Sequence, residues 1–169
     1  RDMGGALAPF NAFQLIQGIE TLPLRGKAHS ENANRLAEWL SGYSEYVKPG
    51  SVQHPSLSSH PSHERAKKYF RSGCFGSVLT FEIKSDDEKK AGQTFIDNVK
   101  MCAHLANVGD ARTLVIHPAS TTHEQLSPEE QLAAGVRPSM IRVSVGFEDI
   151  DDIKLDFTRA LAAAVGRPI

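Results

Sequence analysis

The stretch Met140-Ile141-Arg142-Val143-Ser144-Val145-Gly146 decides the fold, because its apolar and polar side chains alternate. Successive side chains of a β-strand point to opposite faces, so Ile141, Val143 and Val145 share one face and Arg142 lies on the other. The pattern predicts a half-buried strand with a guanidinium on its polar face. Such a rigid five-donor fork is well suited to bind a carboxylate through two hydrogen bonds. From the strand alone, an arginine in a surface ion pair is the favoured explanation, and the other segments of the chain decide between the two.

The composition predicts one domain with a hydrophobic core. Of the 169 residues, 40% are hydrophobic and 23% are charged, which is sufficient for a core of ordinary size. The 19 basic and 20 acidic residues are interleaved and give a net charge of −1, so neither nucleic acid nor an anionic membrane is an expected partner. No apolar run approaches the ~20 residues of a membrane span. The start has no signal-peptide layout and no initiator Met, so we expect residue 1 to be internal to a longer polypeptide.

The two cysteines indicate neither a disulfide framework nor a Cys-x-x-Cys metal site. Cys74 falls in a strand-like run and Cys102 on the apolar stripe of a predicted helix, where each is expected to be a small core hydrophobe. This cysteine usage predicts a reducing compartment, namely the cytoplasm.

Helical and strand periodicities on both sides of the Arg142 strand predict an α+β fold. The predicted helices cover 9–17, a stretch after Pro23 as far as Gly42, 65–70, 86–106, 127–135 and the segment after Glu148, whose stripe is Ile150, Ile153, Phe157 and Leu161. The other predicted strands cover 47–52, 74–83 and 113–116. This order predicts an antiparallel sheet of three to five strands with helices packed on one side, preceded by two leading helices.

Two polar segments beside predicted strands are candidate functional loops. In Asn107-Val108-Gly109-Asp110, the glycine permits a turn whose backbone donors and Asn amide face a cleft, although an ordinary turn also fits. The segment His117–His123 follows a buried strand and has five hydrogen-bonding side chains in seven residues. Its two histidines have no suitably placed carboxylate or thiolate nearby, so we expect no metal site. The histidines of the Ser/Pro-rich loop are expected to be solvated: His54, His60 and His63.

The residues alone predict a substrate-binding unit and lack the motifs of a complete enzyme. No Gly-rich phosphate loop precedes a helix, and there is no Gly-x-Ser-x-Gly elbow.

Four segments resemble the C-terminal domain of the Cys/Met-metabolism family of pyridoxal-phosphate enzymes. That family includes cystathionine γ-synthase, cystathionine lyases, methionine γ-lyase and O-acetylhomoserine sulfhydrylases. The segments are Pro9–Phe13, Gly18–Arg25 with His29 and Asn32-Ala33, His117–His123, and Ile141–Asp152. The similarity runs from about Arg1 to Ala164. Within the family, 107–110 and 122–126 look most like the sulfhydrylases, because the lyases carry a Ser-Leu-Gly form at 107–109.

The resemblance implies the small C-terminal domain of a fold-type I pyridoxal-phosphate-dependent transferase. Residues 1–42 would be leading helices that link to the cofactor-binding domain, and 43–169 the C-terminal α+β substrate-binding domain. The implied reaction uses pyridoxal phosphate as an electron sink: O-acetylhomoserine loses acetate and takes up sulfide or a thiol, giving homocysteine or methionine. Cystathionine γ-synthase, cystathionine lyase and methionine γ-lyase activities remain alternatives.

By resemblance, Arg142 binds the substrate α-carboxylate with help from Asn107, and the loop is supported by His117, Ser120 and Thr121. None of the nine lysines has the Ser/Thr-rich context of the family's Schiff-base lysine. We therefore expect no catalytic residue in this chain, no activity of the chain alone, and a cofactor bound mainly by an N-terminal domain. The resemblance also implies a homotetramer. A free-standing amino-acid-binding regulatory module, which would use Arg142 and Asn107 similarly, is the alternative from another class.

Overall fold

The computed structural model describes residues 3–167, in which six α-helices and four β-strands follow one another along the chain. The helices are α1 (Pro9–Glu20), α2 (Leu22–Gly42), α3 (His63–Tyr69), α4 (Glu88–Asn98), α5 (Pro128–Ala133) and α6 (Ile150–Ala164). The strands are β1 (Val78–Glu82), β2 (Ala103–His104), β3 (Leu114–Ile116) and β4 (Met140–Ser144), with a 3₁₀ turn at Pro118–Ser120.

The four strands form one sheet in the order β1-β4-β3-β2. Strand β4 pairs antiparallel with both β1 and β3, as the sequence predicts. The two-residue β2 runs parallel to β3, so the sheet is mixed and the expectation of a purely antiparallel sheet is wrong at this edge. The prediction of an α+β fold built on a small sheet is confirmed.

Two predicted elements are shorter than the sequence predicts, one at its end and the other at its start. The helix predicted over 86–106 ends at Asn98, because the Asp156 carboxylate of α6 accepts the next backbone N–H groups, those of Lys100, Met101 and Cys102, at 2.8, 3.1 and 3.0 Å. Cys102 is therefore buried in a turn, and its predicted place on a helical stripe is wrong. The strand predicted over 74–83 begins only at Val78, after Gly76, whose φ of +93° breaks the extended backbone.

The strand predicted over 47–52 is reduced to two isolated bridges on either side of the Pro49-Gly50 turn, Val47 to Ile83 and Gln53 to Thr80.

In the following loop His54 is fully buried, contrary to the expectation of a solvated side chain. Its Nδ1 lies 2.7 Å from the Ser56 hydroxyl and its Nε2 lies 3.3 Å from the Gly76 carbonyl oxygen. Both ring nitrogens therefore have partners that replace water.

Helices α4 and α6 cover one face of the sheet and enclose the core. The rings of Phe81, Phe95 and Phe157 lie 5.2 to 6.1 Å apart, with Phe95 edge-on to the other two, a favourable aromatic geometry. The predicted stripe of α6 is buried, which confirms the helical periodicity. The second half of α2 joins the same core through Ala33, Leu36, Ala37 and Leu40.

Helix α1 has no buried residue, although apolar side chains surround it. Phe10, Phe13, Leu15, Ile16 and Ile19 are each between 54 and 67% exposed. Contiguous apolar surface of this kind is characteristic of a contact surface in an assembled protein.

Within residues 3–167 no helix combines the length and the apolar character required to cross a bilayer.

The Asp156 carboxylate yields a stability prediction. Asp156→Ala should lower the free energy of unfolding by about 3 kcal/mol, because buried N–H groups lose a charged acceptor. Urea unfolding of the 169-residue chain measures this difference. Asp152→Ala is the matched control, since Asp152 lies on the same helix and is exposed. Equal losses in the two variants would contradict the assigned role.

Candidate functional site

Arg142 lies in a row of four side chains that crosses the sheet. The register pairs Gln53 with Thr80, Thr80 with Arg142, and Arg142 with Ile116. Directly opposed residues of antiparallel strands share a face, with Cβ atoms about 4.5–5.5 Å apart. The four side chains therefore lie on the sheet face opposite the aromatic core. Helices α4 and α6 do not cover this face.

The Arg142 guanidinium has no hydrogen-bond or ion-pair partner among residues 3–167. Arg25 is the other half-buried arginine in this part of the chain, and it donates to the Gly18 carbonyl oxygen at 2.5 Å and to the Thr21 hydroxyl at 3.2 Å. The surface ion pair considered from the sequence is therefore not formed within the described residues. Because no side chain of the described residues occupies it, the Arg142 guanidinium is available to bind an external anion.

A cleft of about 550 Å³ opens in front of Arg142. Its lining comprises Gln53, Thr80, Ile116, Pro118, Thr122, His123, Ala134, Gly135, Val136 and Met140. At one side the Thr122 hydroxyl lies 2.9 Å from His123 Nδ1. The lining contains one permanent charge, on Arg142, beside apolar side chains. Such a cleft weakens solvent screening and fits a small molecule with a carboxylate.

The structure does not bring Asn107 into this cleft. Asn107 is exposed, and its side-chain oxygen accepts the Val108 N–H at 2.8 Å. Gly109, with a φ of +84°, forms the predicted turn and lines a separate cleft beside α2. The help that Asn107 gives to Arg142 stays a prediction.

His117, Ser120 and Thr121 form a hydrogen-bonded cluster behind the Arg142 cleft. His117 Nε2 lies 2.6 Å from the Pro138 carbonyl oxygen and therefore carries the proton, while Nδ1 accepts from the Ser120 hydroxyl at 2.7 Å. The Thr121 hydroxyl donates to the His117 carbonyl oxygen at 2.8 Å. A Cβ at Gly92 would overlap the His117 ring, so α4 is in close contact with this cluster. These contacts suit the supporting role predicted for the loop.

Burial decides the protonation of the other candidate groups. Burial lowers the pKa of both His117 and His54, so both rings are neutral near pH 7. Burial, aided by the Asp156 charge, raises the pKa of the Cys102 thiol well above its usual range, so this thiol is not a nucleophile near neutral pH. Within residues 3–167 no group of three His, Cys, Asp or Glu side chains is placed to hold a metal ion.

Thr80 and Gln53 are members of the site that the sequence does not reveal. Thr80 is identifiable as an outward-facing residue of β1, but only the strand pairing places it beside Arg142. Gln53 belongs to a loop by sequence, and a single bridge brings it to the end of the row.

The fold is shared with pyridoxal-phosphate enzymes of fold type I, and the chain belongs to the Cys/Met metabolism PLP-dependent enzyme family, whose model matches residues 1–162. The chain is 52% identical over 162 residues to O-acetyl-L-homoserine sulfhydrylase 1 of Thermus thermophilus, a match that covers 96% of this chain and 37% of that protein. The chain thus spans little more than a third of the length of this relative.

Solved structures of related enzymes share the fold, as two examples show. A putative O-acetylhomoserine (thiol)-lyase from Campylobacter jejuni, crystallised with a pyridoxyl-lysine phosphate, superposes with a TM-score of 0.82 at 40% identity, over 95% of this chain and 37% of that one. Cystathionine gamma-lyase from yeast superposes with a TM-score of 0.86 at 31% identity, over 96% of this chain and 40% of that one. The backbone therefore does not distinguish the sulfhydrylases from the lyases.

The lysines of this chain are not placed to bind the family's cofactor, pyridoxal phosphate, as a Schiff base. No lysine lines the Arg142 cleft. Of the lysines, only Lys48 and Lys154 are half-buried, and each is engaged by a carboxylate, 2.5 Å away for Glu88 and 3.4 Å away for Asp151. A Schiff base requires a neutral, accessible amine, which these contacts disfavour. No step of the chemistry is therefore assigned to a lysine of this chain.

The buried His117 ring predicts a pH-dependent stability. Because its folded pKa lies below the unfolded value, the unfolded chain binds more protons as the pH falls below about 6.5. Stability should therefore be fully present at pH 7.5 and should decrease toward pH 5, and His54 should contribute in the same sense. One such group contributes a slope of at most about 1.4 kcal/mol per pH unit.

The measurement is urea unfolding at pH 7.5, 6.5, 5.5 and 5.0 for the wild-type chain and His117→Asn. The variant should have a smaller slope over this range. His63→Asn, at a half-buried histidine that follows the same loop, is the matched control. An unchanged slope in His117→Asn would contradict the assignment.

Proposed function

We propose that this chain is the part of a pyridoxal-phosphate-dependent O-acetylhomoserine sulfhydrylase that binds the substrate carboxylate. The observation that carries the proposal is the guanidinium of Arg142, which stands in a cleft on a rigid strand and has no partner among the described residues. The reaction would convert O-acetylhomoserine and sulfide or a thiol into homocysteine or methionine and acetate.

The role of the chain in that reaction is binding and orientation. Arg142 would hold the α-carboxylate through two parallel hydrogen bonds, which fixes both the position and the plane of the group. The apolar neighbours Ile116 and Met140 reduce solvent access, so the charged contact is stronger than on an open surface. Orientation of a bound substrate by such a clamp contributes to the rate as well as to the affinity.

The sequence of the turn at 107–110 and the similarity to the Thermus enzyme, which is named a sulfhydrylase, support this activity among the members of the family. Cystathionine γ-synthase or lyase chemistry is the second candidate, because the yeast lyase has the same backbone. A free-standing amino-acid-binding module would use the same clamp without the reaction.

We also propose that the apolar surface of α1 is covered in the assembled protein. Its exposed phenylalanine and isoleucine side chains are suited to pack on a cofactor-binding domain of the same polypeptide or on a neighbouring subunit. In this proposal the whole enzyme is a cytoplasmic homotetramer, residues 1–42 lead to the cofactor-binding domain, and residues 43–169 form the substrate-binding domain.

Arg142→Lys in the full-length enzyme tests the carboxylate clamp. A lysine retains the charge but not the two parallel hydrogen bonds, a loss on the order of 1.5–3 kcal/mol, or roughly 10- to 150-fold. The KM for the amino-acid substrate should rise by about this factor, while the KM for sulfide stays the same. Arg159→Lys, an exposed arginine of α6, is the matched control. Equal effects on the two substrates would refute the proposal.

The 169-residue chain alone should not form a Schiff base with pyridoxal phosphate. The reason is that no lysine lines the Arg142 cleft, where the cofactor could be retained, and the two half-buried lysines are ion-paired. Absorbance spectroscopy of the purified chain after incubation with the cofactor and gel filtration should show no internal-aldimine band. A retained band that borohydride removes would contradict this expectation.

A further inference from the structure

Glu82 is an acidic side chain on the sheet face that α4 and α6 leave uncovered. It lies close enough to Arg142 to compete with a substrate carboxylate for the guanidinium. It follows Thr80 by two residues on β1 and pairs in register with Met140. It is therefore a diagonal neighbour of Arg142. Diagonal neighbours across antiparallel strands lie about 7–8 Å apart, a distance that glutamate and arginine side chains can bridge. An ion pair between Glu82 and Arg142 would close the fork to any external carboxylate.

Two other cations engage Glu82 instead. Lys48 Nζ lies 3.2 Å from Oε2, and Arg137 Nε lies 3.3 Å from Oε1, so each carboxylate oxygen has its own cation. The Glu82 side chain is 14% exposed, which limits its freedom to rearrange. Both oxygens of the Glu82 carboxylate are thus engaged by cations other than Arg142.

The backbone around Lys48 holds this arrangement in place. The Lys48 N–H donates to the Glu82 carbonyl oxygen at 2.9 Å, and the Glu82 N–H donates to the Ser51 hydroxyl at 3.1 Å. Lys48 also contacts Glu88 of α4 at 2.5 Å. Burial lowers the pKa of Lys48, but its hydrogen bonds to Glu88 and Glu82 raise it, and the net shift is upward. Lys48 therefore remains charged across the neutral range.

We infer that Lys48 and Arg137 are positioning residues that hold Glu82 away from Arg142 and so keep the guanidinium available to the substrate carboxylate. This inference rests on the proposed function of Arg142 as the carboxylate clamp. A tethered carboxylate competes with a free substrate at a high effective concentration, in the millimolar range for short flexible tethers. Even partial capture of the fork by Glu82 would therefore raise the apparent KM.

The arrangement differs from an ordinary surface ion network in one testable respect. If Lys48 and Arg137 only stabilised the fold, their loss would not be repaired by removing the charge of Glu82. If they restrain Glu82, neutralising that carboxylate removes the competitor and restores the clamp. Glu82→Gln keeps the size of the side chain, so it changes the charge with little change in packing.

The experiment uses the full-length enzyme and measures kcat and both KM values for three variants: Arg137→Met, Lys48→Met/Arg137→Met, and the same double variant with Glu82→Gln. We expect the KM for the amino-acid substrate to rise about threefold in the single variant and about tenfold in the double variant. The KM for sulfide should be unchanged in both. Adding Glu82→Gln should return the amino-acid KM to within about twofold of wild type.

Lys84→Met, at an exposed lysine two residues after the end of β1, is the matched control and should leave both KM values unchanged. Arg137 is 61% exposed, so its single variant should fold even if the double variant is unstable.

An unchanged amino-acid KM in Arg137→Met and in the double variant would overturn the inference, as would a rise that Glu82→Gln does not reverse. Arg142→Lys is measured in parallel: if it raises the KM but the other variants do not, only the restraint of Glu82 fails. If Arg142→Lys has no effect, both the restraint and the clamp fail.

Discussion

The antiparallel pairing of β4 with β1 on one side and β3 on the other is the constraint on which both the core and the candidate site depend. The pairing aligns Ile141 and Val143 with Leu79, Phe81 and Val115, all of them buried. The same register aligns Arg142 with Thr80 and Ile116 on the opposite face. A shift of one residue would exchange the two faces, which would bury the guanidinium and expose the aliphatic side chains. The hydrophobic core therefore holds Arg142 at its position.

Charge placement on the uncovered face is the second determinant of the site. On a strand surface that carries both acidic and basic side chains, these side chains ordinarily form ion pairs with one another. Such exposed ion pairs contribute little to stability. Here the acidic neighbour Glu82 is shared between Lys48 and Arg137, while Arg142 has no partner among residues 3–167. The arrangement leaves Arg142 as the one permanently charged side chain that lines the cleft, and a charged contact is stronger where solvent access is reduced.

The proposed role of this chain rests on the side chains that it contains. A rigid strand, a supported loop and a guanidinium fit the proposed recognition of an amino-acid carboxylate. Its lysines are exposed or ion-paired, and the Cys102 thiol is buried. The shared backbone of a thiol-lyase and a cystathionine lyase at 40 and 31% identity indicates that reaction choice within the family rests on side chains and not on this fold.

The sequence by itself determined the class of fold, the alternation of β4, the periodicity of α6 and the identity of Arg142 as the candidate ligand. These follow from patterns between residues near one another in the chain, where local geometry decides which face a side chain occupies. Only the tertiary structure decided where α4 ends, because the acceptor that terminates it, Asp156, is 54 to 56 residues away. The same holds for the parallel edge strand, for the burial of His54, and for the row of Thr80 and Gln53 beside Arg142. Each of these depends on a partner distant in the sequence, and local propensity contains no information about such partners.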